Sequence, residues 1–82
     1  MKVSLYSVYD SVSGVYDGPV PCHNDGVAMR QFAEMANNKE TKVGKSPSDF
    51  SLWKHGSFND GTGDMQRHEK ECIAHAVDFV EA

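Results

Sequence analysis

One stretch of this chain carries a clear helical period, and it constrains how everything else must be arranged. Between residues 24 and 37, Val27, Ala28, Phe32, Met35 and Ala36 recur at spacings of three and four and gather into one apolar stripe. Arg30, Gln31, Glu34 and Asn38 fall largely on the other side. Asn24 or Asp25 can cap the first turn by accepting from free backbone N–H groups, and Asn37-Asn38 stops the helix. Such a stripe needs an apolar surface to lie on, and the remaining segments offer one with a period of two.

In residues 2–9, Val3, Leu5 and Tyr9 share one alternation phase while Tyr6 and Val8 occupy the other. This pattern predicts a strand apolar on both faces and central in its sheet. Asp10 to Gly14 is a turn, Val15-Tyr16 starts a short return strand, and Pro19 and Pro21 remove ladder donors, so this segment is an edge or an extended arm. Lys39 to Lys45 reads as a polar loop, and Ser46 to Asp49 as one helical turn with Pro47 at its first position. Phe50 to Phe58 is a second strand region, Asn59 to Gly63 a hairpin turn, and Asp64 to His68 the returning strand. In the segment from Glu69 to Ala82, the positions of Cys72, Ala76, Phe79 and Val80 fit a helical stripe.

The expected fold class is therefore α+β: a small antiparallel β-sheet with one main α-helix packed on a face and a short C-terminal helix. Residues 1–82 fit a single domain. A domain of this size buries roughly 60% of its unfolded surface, so its core is thin. A homodimer or higher oligomer is expected, sharing apolar surface from Tyr16, Val20, Phe79 or Val80. No apolar run approaches the ~20 residues of a membrane span, and Met1 to Leu5 lacks the stretch of a signal peptide. A cytosolic protein with Cys22 and Cys72 reduced is expected.

A net charge of -4 and a pI near 5.4 argue against coating nucleic acid by bulk electrostatics. A local basic patch is still open to it. Lys39, Lys42 and Lys45 cluster beside Gly44, and Arg30 and Lys54 can lie near them. Flexible lysines of this kind suit phosphate contacts, and equally suit a solvated loop. Six aromatic residues, Tyr6, Tyr9, Tyr16, Phe50, Trp53 and Phe58, lie in strand or turn regions. Most must be core in so small a domain. Trp53 and Tyr9 are the best candidates for exposure, and Trp53 shares its phase with Ser51, His55 and Ser57. Exposed rings on a sheet can stack on unpaired bases.

A possible zinc set also needs weighing. His68, Cys72 and His75 would share one face of a helix, and Cys22-His23 could complete four ligands. There is no Cys-x-x-Cys pair, and a buried thiol explains Cys72 more simply, so no metal or other cofactor is expected. The sequence also lacks a nucleophile elbow, a phosphate loop or a recognisable acid–base pair, so an enzyme is not expected. Asn59 to Asp64 has the look of a calcium loop, but its twelfth position lacks glutamate and a hairpin explains it.

Three segments together are more specific. Tyr6-Ser7-Val8-Tyr9-Asp10-Ser11 comes first, then Asn24 to Phe32, then Pro47 to Trp53 followed by Gly56 to Asp60 and Thr62-Gly63. In that order and spacing they resemble the non-structural protein of gokushovirus-type microviruses, small single-stranded-DNA phages. Gly26 stands where that family's pattern has alanine. The resemblance implies an accessory protein of the host cytoplasm that binds single-stranded DNA during genome replication or packaging. On that reading the DNA-binding residues are Lys39, Lys42, Lys45, Trp53, Lys54 and Arg30. The alternative is a protein-interaction module acting on phage replication or capsid proteins without binding DNA.

Overall fold

A computed structural model describes residues 1–80. Strand β1 (Lys2–Asp10) turns back through β2 (Val15–Tyr16) and β3 (Val20–Cys22), which lie one after the other along the same edge of β1. Helix α1 (Asp25–Ala36) and the short helix α2 (Lys42–Lys45) follow. A 3-10 turn at Pro47–Asp49 then leads into the long hairpin of β4 (Phe50–Asn59) and β5 (Met65–His75). All pairings are antiparallel, in the order β2-β1-β4-β5, so β1 is central as its two apolar faces predict. The expected α+β architecture, with the main helix on one face, is the one found.

Helix α1 forms where the stripe predicts. The Asn24 side chain accepts from the Val27 N–H at 2.9 Å, closing the first turn. Ala28, Phe32 and Ala36 are buried against Tyr6, Leu52, Phe50 and Cys22 of the sheet, with Val43 and Ala76 completing the core. Phe32 is only 1% exposed and meets Phe79 edge-on with ring centroids 6.2 Å apart. The helix is pinned at its start by a small polar cluster. The Tyr6 hydroxyl donates to Asp25 at 2.5 Å, and the Lys54 ammonium lies 3.1 Å from the same carboxylate.

Two expectations need correction. Glu69 to His75 is not helical but the continuation of β5, and only Ala76–Phe79 form a 3-10 turn. The ten residues of β4 would otherwise leave an open row of backbone donors and acceptors. Pairing with β5 from Met65 to His75 fills that row, and this outweighs a weak apolar stripe. Residues 81 and 82 of the expected helix lie outside the described residues. The loop from Lys39 to Lys45 is also more ordered than its polarity suggests. Thr41 caps α2 by accepting from the Gly44 N–H, and Val43 is buried. Gly44 packs so close to the chain that a Cβ there would strike the Asn38 carbonyl.

The ladder is interrupted at three places. Tyr6 faces Lys54 while Leu5 faces Gly56, which leaves His55 as an extra residue on β4. On β5, Ile73 is extra between the partners of Leu52 and Trp53, and His68 to Lys70 arch out between Arg67 and Glu71.

Candidate functional site

Cross-strand partners share a face, so the register sorts the sheet's side chains. Tyr6 with Lys54 and Val8 with Leu52 face the helix. Ser7 with Trp53, Tyr9 with Ser51, and Trp53 with Cys72 face the other way, where no helix among the described residues covers them. On this open face the Tyr16 ring is a hub. It lies 4.5 Å from Tyr9, 6.0 Å edge-on from Trp53 and 5.5 Å edge-on from His55, centroid to centroid. The Lys70 ammonium sits 5.6 Å from the Tyr16 centroid, within cation–π range. Four rings and a cation are thus gathered on one surface, all of them partly exposed except the exposed Lys70.

The polar groups beneath these rings are held in place. Trp53 Nε1 donates to Ser51 Oγ at 2.8 Å, which fixes the indole. Ser7 Oγ lies 2.5 Å from His55 Nε2, and Ser7 is only 4% exposed. A serine bonded to histidine is the first half of a nucleophilic relay, but a carboxylate to orient the ring does not reach His55 among the described residues. The buried Ser7 hydroxyl anchors the imidazole instead. Burial, with Lys70 and His68 nearby, pushes the His55 imidazole below its ordinary value, which favours its neutral form.

The residues singled out for DNA contact do not share one surface. Trp53 is on the open face, whereas Lys54 is on the helix side and ion-paired with Asp25. Lys42 and Lys45 are exposed at the end of the sheet beside Asp10 and Asp49, around a shallow hollow floored by Phe50. Lys39 is exposed in the turn after α1, and Arg30 is exposed on α1 itself. Lys70 and Arg67 do not stand out in the sequence, and Tyr16, one of its six strand and turn aromatics, is not among those expected to be exposed. A two-residue return strand carries little pattern, Arg67 lies in the segment read as the returning strand, and Lys70 lies in the segment read as helix. The phase of β1 that carries Val3, Leu5 and Tyr9 was the available signal, since it leaves an apolar face for something other than α1.

The Cys/His set is likewise dispersed. Cys22 is buried beside α1 with its thiol facing Gln31 at 3.8 Å, and burial pushes that thiol up. Cys72 and His75 are on the open face with Sγ and Nε2 3.7 Å apart, while His68 is in the β5 arch and His23 is exposed. The helical spacing that would have aligned them is replaced by a strand. Among the described residues no group of three such ligands converges.

A family model described as Phage ORF5 protein matches residues 3–79, nearly the whole chain. The chain belongs to that family. It is therefore a phage protein, and the match spans the helix, the open face and the hairpin alike. No curated protein and no solved structure gives a significant match to it. No helix among the described residues of this phage protein is long and apolar enough to cross a membrane.

Proposed function

We propose that this phage protein is a non-enzymatic accessory factor of the gokushovirus type that binds single-stranded DNA without sequence preference in the host cytoplasm, during genome replication or packaging. The observation that supports this best is the ring cluster of Tyr9, Tyr16, Trp53 and His55 on a sheet face that no helix among the described residues covers. Unpaired bases stack on such rings, and every base has a face to offer, so sequence matters little. Lys70, in the arch of β5, provides a cation for the phosphates passing beside the rings. The DNA then crosses the open face, and Lys42 and Lys45 extend the track only at the sheet's end.

The test is a titration with labelled single-stranded DNA at low and high salt. Trp53→Ala should weaken binding by ~1–3 kcal/mol with little change in salt slope, because stacking is not ionic. Lys70→Ala should flatten the slope by about 0.7, the value for one phosphate contact on a single strand. An absence of binding at low salt, with the fold intact by circular dichroism, refutes the reading. The net charge of -4 favours a second reading, a protein-interaction module acting on phage replication or capsid proteins without DNA. That failure would direct the search to it.

A further inference from the structure

The open face is not flat, and a recess in it follows from the register. Leu5 pairs with Gly56 and Gly56 pairs with Arg67, so these three residues form a row across β1, β4 and β5. The middle member has no side chain. Leu5 and Arg67 therefore stand on either side of a hollow of about 440 Å³, and Gly56 is its floor. Tyr16 and His55 close it at one end and Met65 at the other. Nothing larger than glycine fits the floor, because a Cβ on Gly56 would run into the Gln66 carbonyl.

The walls suit one kind of ligand. Two rings with Leu5, Pro19 and Met65 make a mostly apolar slot, and the recess is within the usual size range of small-ligand sites. His55 is held by Ser7 and favours its neutral form, so it presents a flat ring. Arg67 on β5 is exposed and supplies the one fixed positive charge on the wall, with Asp17 on the opposite rim as an acceptor. A flat heterocycle with exocyclic donors, joined to a phosphate, matches all of these at once. Guanidinium and aromatic planes are the groups on which proteins stack splayed bases.

We propose that this hollow is a subsite for a single nucleoside 5′-phosphate unit, its base between Leu5 and Tyr16 and its phosphate on Arg67. The choice of ligand class rests on the nucleic-acid reading above. The unit is either one flipped-out residue of a bound strand or a free nucleotide, and two arms of one experiment separate these sources. In the first arm, deoxyadenosine monophosphate is titrated into isotope-labelled protein while the amides of Leu5, Gly56 and Arg67 are followed by NMR. In the second, a short oligodeoxynucleotide is titrated beside the same backbone carrying abasic sites. Tyr16→Leu and Arg67→Ala are run in both arms, each checked for an unchanged amide dispersion.

The expected result is that the nucleotide moves the Gly56 and Arg67 amides, and that each variant weakens binding about tenfold. An oligonucleotide that binds the wild type and both variants equally, with the nucleotide leaving those amides unmoved, overturns the subsite while the single-strand reading stands. Nucleotide binding without oligonucleotide binding upholds the subsite and refutes the single-strand reading. Silence in both arms refutes both. If the same amides respond to protein concentration and not to nucleotide, the hollow is filled by a second copy of the chain and the proposal fails.

Discussion

Replacing Gly56 by alanine tests the register on which the open face and its hollow depend. The added Cβ would overlap the Gln66 carbonyl oxygen and also approach the Arg67 Cα at 3.1 Å. Both obstacles are backbone, so no side-chain rotation relieves them, and β4 and β5 must part locally. Overpacking costs ~1–3 kcal/mol where neighbours can give, and a backbone obstacle sits at the upper end of that range. Alanine also restricts the unfolded chain, which returns about 0.4–1 kcal/mol. A net loss of about 2 kcal/mol is expected, against a total of about 4–12 kcal/mol for a domain this long. With a urea dependence of about 1 kcal/mol/M, typical of a small protein, the midpoint should fall by about 2 M. Gly18→Ala is the control, since a Cβ there has no heavy atom within 4 Å. That change should stay within about 0.5 kcal/mol of wild type. If the two variants unfold at the same urea concentration, β4 and β5 are not paired as described.

Other outcomes follow from the same packing. Phe32→Ala removes a side chain that is 1% exposed and should cost ~3–5 kcal/mol by chemical denaturation. Asn24→Ala should cost about 0.5–2 kcal/mol through the lost cap, leaving the hairpin intact by NMR. Burial and the hydrogen bond to Asp25 push the Tyr6 phenol up to about 12. Unfolded, it ionises near its ordinary 10, so the folded state holds its proton longer and stability should fall as pH rises from about 10 to 12. Ultraviolet titration should show one of the three tyrosines ionising late, and Tyr6→Phe should abolish that phase. Lys54→Ala should leave single-strand affinity unchanged in the salt titration, because its ammonium is paired on the helix side.

The elements with strong periods were legible. Helix α1, the central place of β1 and the helical turn at Pro47 all follow from local chemistry that nothing in the tertiary structure opposes. The segment after Glu69 was not legible, because its apolar residues satisfy either period. The choice is made elsewhere, by the unpaired edge that β4 presents. The site was half legible for a related reason. Alternation along β4 separated Trp53 from Lys54 in principle, but which phase meets the helix depends on the Tyr6–Asp25 contact, a pairing 19 residues apart. The hub residue Tyr16 sits in a strand of two residues, and its role arises only when β1 carries Tyr9 beside it.

The β4–β5 hairpin outruns the helix that stabilises the rest of the sheet. The molecule is 42 Å long and 23 Å across, and the buried positions of β4 gather at Phe50, Ser51 and Leu52, with Gly56 the last of them. From Gly61 to Glu71 every residue is exposed. Protection against amide exchange should therefore grade along the hairpin, with Phe58 and Met65 opening by fraying while Leu52 and Ala74 open only with the whole molecule. Gly56 and Arg67 lie where the two regimes meet. A hollow built there has one wall anchored to the core and one on a strand that breathes, so a ligand could enter by local opening without any part of the helix letting go.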